Sequence, residues 1–244
     1  MKATPDDQAL LLVLQAHDTR IAQLAHRAST LPENSELVQL RSESQRLSRE
    51  LAAHRGGLDD LGTELSRVES DVKTVEARIA RDTDRMQSSS SVKDVTAFEQ
   101  ELTSLAKRLN DLEEIELAVM ERIETQQGVT DGAASHVAEL VEHTVTAQAR
   151  RDEALAAIEA ERLTTSAGRL IVEARIPAEL LALYEKQRAR YGTGASLLRG
   201  GVSEASGVKL LENEMQAIRR ADPDDVMMCA SSEAILVRTG ESGL

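Results

Sequence analysis

From Leu37 the chain repeats a seam in alternating steps of three and four: Leu37, Leu40, Ser44, Leu47, Leu51, His54, Leu58, Leu61, Leu65, Val68, Val72, Val75, Ile79, Asp82, Met86. Only Ser44, His54 and Asp82 interrupt its apolar character. A strand alternates every second residue, and a helix of a globular domain rarely sustains one stripe beyond about 20–25 residues. At about 1.5 Å per residue this stripe spans ~75 Å, a length that only a coiled-coil partner covers. The partner lies downstream, where Phe98, Leu102, Leu105, Leu109, Leu112, Glu116, Val119 and Ile123 follow the same steps. The pattern weakens after Gln126 and resumes through Val137, Leu140, Ala147, Ala154 and Ile158.

Between the arms, Ser88–Ser91 form a polar break, and Asp94 follows Ser91 by three residues, the spacing of a helix N-cap with an acidic partner. The serines therefore predict the tip of an antiparallel hairpin. Setting Met86 against Phe98 brings Leu10 opposite about residue 174. Leu10, Leu14, His17, Ile21, Leu24, Ala28 and Leu31 then form a further seam. Pro32 interrupts this arm, because proline lacks the helix donor and disfavours helix at the residue before it. The expected helices are 6–29, 34–87 and 92–172, with the tip at 88–91. Gly56, Gly57 and Gly62 fall near Gly128 and Gly132, and each interior glycine costs about 1 kcal/mol relative to Ala. A flexible level is expected there, beside the polar seam residue His54.

The period changes after Ile176-Pro177. Pro177 suits the first turn of a helix, with Leu180, Leu181, Leu183, Tyr184 and Gln187 on its packed face up to about Arg190. Apolar runs at Ala195–Leu198 and Ile235–Val237 then flank a helix expected over Glu212–Arg220. The fold class is thus mainly α: a long antiparallel coiled-coil hairpin rod over 1–175, then a C-terminal helix and small α+β module over 176–244. A module that small is marginal alone and needs a metal or a packed partner.

Composition agrees. Only three of 244 residues are aromatic (Phe98, Tyr184, Tyr191), too few to fill a single large globular core. The single cysteine, Cys229, excludes an internal disulfide and a cysteine-only zinc site. Neither a signal-peptide-like run nor a stretch of about 20 apolar residues occurs, so a cytoplasmic protein without a membrane span is expected. The net charge of -13 argues against wrapping nucleic acid along the whole chain.

Candidate chemistry is sparse. Cys229 lacks a nearby His in sequence. His136 and His143, with Glu139 and Glu142, stand two turns apart, which is not the i, i+4 pair of a zinc protease. Gly192-Thr193-Gly194 and Gly200-Gly201 lack the Lys-Ser/Thr of a phosphate loop and read as turns. Asp222-Pro223-Asp224-Asp225 reads as an acidic turn. No nucleophile–base pair or convergent acid pair is evident, so no catalytic residue and no cofactor are assigned. One region departs from the acidic whole: Arg169 to Arg199 holds six basic against three acidic side chains. Lys186, Arg188, Arg190 and Arg199, interleaved with Tyr184 and Tyr191, could contact RNA or a protein partner. They could equally pair with the acidic rod.

These segments resemble a family of widespread bacterial proteins with an N-terminal coiled-coil hairpin and a C-terminal four-cysteine zinc ribbon, most closely its actinobacterial branch. The resemblance is carried by Thr30-Leu31-Pro32-Glu33, by Lys93–Leu102 after the tip, and by Asp111-Leu112-Glu113-Glu114 through Met120-Glu121-Arg122. Ile176-Pro177, Tyr184-Glu185 and Arg188-Ala189-Arg190 extend it. In the family two Cys-x-x-Cys knuckles bind zinc. Here the former ligand positions read Ser203, Ser206, Cys229 and Ser232, so the resemblance implies a ribbon framework without its metal. It also implies a non-enzymatic adaptor or chaperone-like protein. Branches of the family are linked to an alternative sigma factor and to export-apparatus proteins, and RNA binding has been proposed. The expected partner is a protein, with RNA as the alternative; the expected state is a monomer, with a coiled-coil dimer as the alternative.

Overall fold

The computed structural model describes all residues, 1–244. In chain order it contains α1 (Pro5–Ser29), α2 (Pro32–Ser88), α3 (Val92–Glu173), α4 (Ala178–Tyr191), β1 (Ala195–Arg199), β2 (Val202–Ser203), β3 (Val208–Lys209), α5 (Glu212–Arg220), β4 (Met227–Met228) and β5 (Ile235–Val237). The protein is mainly helical, with a long helical hairpin and a small C-terminal sheet module. Contacts group it into two compact units, Ser35–Gln148 and Met1–Asn34 with Ala149–Leu244. The boundary expected after residue 175 lies inside the second of these.

In the hairpin unit, every seam position from Leu37 to Met86 is buried or half-buried. On the facing helix Leu105, Leu112 and Val119 are buried. Cross-arm ion pairs Arg78–Glu101 (2.7 Å) and Arg122–Glu64 (3.1 Å) set the antiparallel register. Asp82, a polar seam residue, is buried with Arg78 and Arg85 each 3.7 Å away. At the tip the Asp94 N–H donates to Ser91 Oγ at 3.4 Å, the N-cap bond that starts α3. Both helices run unbroken through the five glycines. There Gln126 Nε2 bonds the His54 carbonyl at 3.2 Å and lies 3.3 Å from His54 Nδ1, so the two polar seam residues satisfy each other. Pro32 is the first residue of α2, so the break falls at Thr30-Leu31, and the helix starts two residues before the start expected from the sequence.

In the second unit, α1 begins at Thr4, whose side chain accepts from the Asp7 N–H at 3.1 Å, with Pro5 at the first helical position. Leu24, Leu31 and Ile158 pack α1 against the last third of α3. The sheet has the order β3-β2-β1-β5-β4. Its central pair is parallel, with Ala195 opposite Ile235 and Leu197 opposite Val237, and the other pairs are antiparallel. One face of this sheet joins Leu11, Leu14, Val172, Ile176, Leu180 and Tyr184 in one core with Ala195, Ile235 and Val237. The other face packs Leu198, Cys229 and Leu236 against Met215 and Ile218 of α5. Leu11, outside the expected seam, is fully buried because α1 is covered by the module as well as by α3.

The chain's first residues close the far sheet edge. Lys2 bridges Asp225 in antiparallel fashion, the Ala3 N–H donates to the Asp224 carbonyl at 2.8 Å, and the Val226 N–H donates to the Met1 carbonyl at 3.2 Å.

Candidate functional site

Two members of the basic region, Arg169 and Arg188, enter an internal ion cluster. Asp18 of α1 is 8% exposed and receives Arg169 Nε at 2.7 Å and Arg188 Nη1 at 3.2 Å. Arg169 also pairs with Glu173 and Glu185, and Arg188 pairs with Glu185 at 2.7 Å. The Tyr184 hydroxyl donates to Asp18 Oδ2 at 2.7 Å, with Gln15 Oε1 at 3.2 Å. Gln15 Oε1 in turn accepts the Gly194 and Ala195 N–H groups, at 2.8 and 3.3 Å, tying the first strand to α1. Burial, then the hydrogen bond to Asp18, holds the Tyr184 phenol protonated far above its ordinary range. For Arg169, burial lowers the pKa, but the bonds to Asp18 and Glu185 outweigh it and the guanidinium stays charged.

This corrects the reading of Tyr184 as a stacking residue. Its ring is 0% exposed and no base can reach it. Arg188 is held by two carboxylates within the cluster. Arg199 pairs with Glu204 at 2.9 Å and Glu241 at 2.7 Å. Of the six residues, Tyr191, Arg190 and Lys186 present an open surface without a carboxylate partner: Tyr191 is 44% exposed, Arg190 sits 5.2 Å over its ring, and Lys186 is exposed; Arg199 is exposed too, but ion-paired. Sequence reasoning missed Asp18, Gln15 and Arg169 as the organising groups. The available signal was an acid four residues after Leu14 on the buried face of α1.

Ser203, Ser206, Cys229 and Ser232, the positions the resemblance singled out, converge in part. Cys229 is 1% exposed, and Ser203 is fully buried. Burial alone raises the Cys229 pKa. Ser203, Ser232 and the backbone at Ser232 and Ser231 favour the thiolate more strongly, so the thiol sits below its ordinary value. Ser232 Oγ is buried with no well-formed hydrogen bond of its own, though it lies close enough to the thiol to favour the charged form. Ser203 Oγ lies 3.1 Å from Ser196 Oγ, which accepts the Ala205 N–H at 2.8 Å. Ser206 instead accepts the Val208 N–H at 3.3 Å at the turn's exposed side. Three neutral hydroxyls and one thiol are a poor donor set for zinc, and these residues do not fit that metal. Hydroxyl hydrogen bonds close the Ser203–Ser206 turn.

His136 and His143 are exposed on α3, and no group of three or more His, Cys, Asp or Glu side chains is placed to hold a metal ion. The acidic turn at Asp222–Asp225 is tied down from within the chain. Lys2 Nζ pairs with Asp222 at 2.9 Å, and Arg238 donates to the carbonyls of Asp222, Pro223 and Asp225 at 2.7–2.9 Å. No helix is long and apolar enough to cross a membrane.

The hairpin carries a different kind of surface. Residues 111–142 of α3 contain nine acidic side chains and one basic one, Arg122, whereas residues 74–110 balance six acids with six bases. Along the same acidic stretch Ile115, Leu117, Met120, Val129 and Val141 are large, apolar and at least 43% exposed.

The sequence model of the CT398-like coiled coil hairpin domain matches residues 14–192. An uncharacterized protein of Mycobacterium tuberculosis is 34% identical over 239 residues, covering 98% of both chains. A solved structure from Mycobacterium smegmatis superposes with a TM-score of 0.88 at 34% identity, covering 98% of this chain and 100% of that one. CT398 of Chlamydia trachomatis superposes with a TM-score of 0.68 at 14% identity, covering 96% and 98%, a likeness of fold alone.

Proposed function

This chain belongs to the CT398-like coiled-coil hairpin family, and from that membership and its surface we propose that it is a non-enzymatic, chaperone-like adaptor that binds proteins through the hairpin. The carrying observation is the acidic stretch of α3 with its exposed apolar side chains. A helix that packs one partner along one stripe gains nothing by exposing Leu and Met elsewhere, and Leu117 and Met120 share one cleft with Leu65 and Ile123, the kind of exposed apolar surface that marks interaction sites. The C-terminal module, in this reading, is a metal-free remnant of a ribbon held by packing on α1 and α4 rather than by zinc.

The test is an affinity pull-down with the full chain from native lysate, at low and high salt, with and without nuclease. Proteins retained through high salt and nuclease support the adaptor reading. Recovery of RNA alone, lost with salt, replaces it with nucleic-acid binding at Lys186, Arg190 and Tyr191, the open part of the basic region. The informative variants for that outcome are Lys186→Ala and Arg190→Ala, because replacing Arg188 would break the Asp18 cluster.

A further inference from the structure

Within the hairpin unit, Leu117 and Met120 lie one turn apart on a face of α3 that α2 does not cover, 62% and 49% exposed. With Leu65 of α2 and Ile123 they line a cleft of about 550 Å³ whose rim is Glu121 and Glu124. We propose that this face docks a basic amphipathic helix of a partner protein, an inference that rests on the adaptor reading and names the surface and partner chemistry it uses.

Three physical features select that occupant. The apolar floor is elongated, running between two antiparallel helices, and such grooves accept the ridge of a third helix presenting apolar residues at i and i+3 or i+4. Met120 adds an unbranched, polarizable side chain that adapts to different ridges. The rim is acidic: Glu121 and Glu124 are exposed, and none of the ion pairs in the hairpin engages them. Carboxylates without counter-cations around an apolar floor attract Lys and Arg on the polar flanks of an incoming helix and repel nucleic acid and acidic segments.

The experiment places photoactivatable benzoylphenylalanine at Met120 in the full chain, and in a second chain at Tyr191. Each is irradiated in native lysate, and the crosslinked partner segment is mapped by mass spectrometry. The expected result is crosslinking at position 120 to segments of net positive charge with apolar residues at i, i+3 or i+4. Leu117→Glu, and separately an excess of an 18-residue Leu/Lys amphipathic peptide, should each lower that yield by about tenfold or more, a hot-spot-sized effect. The same peptide composition in scrambled order should not. Helicity of Leu117→Glu by circular dichroism should be unchanged, since the side chain is exposed. Crosslinks at 120 to acidic or non-amphipathic segments, to nucleic acid or to a second copy of this chain overturn the proposal, as does yield indifferent to Leu117→Glu. An absence of crosslinks at 120 with proteins captured at 191 overturns the docking face and leaves protein binding standing, at α4 rather than through the hairpin. An absence of protein at both positions overturns both.

Discussion

Tyr184 organises the second unit at the residue scale. Its ring fills the core against α1 while its hydroxyl supplies Asp18 with a third donor beside Arg169 and Arg188. Gly194 exists for this ring: a Cβ there would lie 2.5 Å from it, so the strand can approach only without a side chain. Tyr184→Phe keeps the shape and removes one donor to a buried carboxylate, and should cost about 1–2 kcal/mol in chemical denaturation. Gly194→Ala should cost about 1–3 kcal/mol through overpacking; a variant as stable as the parent would refute the close approach. Cys229 carries a pH signature. Its folded pKa is depressed, so the unfolded chain holds the thiol proton more tightly. The stabilisation is complete above the unfolded thiol's range and is lost as pH falls through the folded value. The stability gap between the parent and Cys229→Ala should therefore widen as pH rises toward the ordinary thiol range and level off above it. A flat difference would mean the hydroxyls and N–H groups do not favour the thiolate.

At the scale of elements, the hairpin helices tolerate five glycines because the seam on either side holds. At Gly56, Gly62, Gly128 and Gly132 an added Cβ meets nothing within 4 Å. Alanine at each should stabilise by about 0.5–1 kcal/mol, read from the denaturant midpoint, since it relieves only the backbone entropy cost. Gly57 differs, with Gln126 3.5 Å from its Cβ position. Amide exchange in the parent should be fastest at 54–62 and 126–132, and uniform protection would remove the flexible level. Helix starts and stops were legible from proline, serine and glycine. The seam was legible too, since one buried stripe per helix imposes a period. The site was less so: the basic run was visible, but which of its members face inward was not. Burial of Tyr184 and capture of Arg188 depend on Asp18, distant in sequence, and no local period reports such a meeting.

At the scale of the molecule, the C-terminal module shares its core with α1 and α4. Leu11, Leu14 and Tyr184 pack on the same sheet face as Ala195, Ile235 and Val237, and residues 1–3 complete its edge. A fragment of residues 176–244 lacks α1 and that edge, and it should show neither dispersed amide resonances nor a cooperative melt. A folded fragment would mean the sheet and α5 suffice. The amino-acid order alone determined the hairpin, its tip, the register of its seam and the place of α5, because heptads, caps and prolines act over a few residues. Only the tertiary structure decided the parallel pairing of β1 with β5, the packing of the module on α1, and the capture of Arg169 and Arg188 by Asp18. Those outcomes join residues from 40 to more than 150 positions apart, and they follow from which surfaces can bury one another rather than from any local preference.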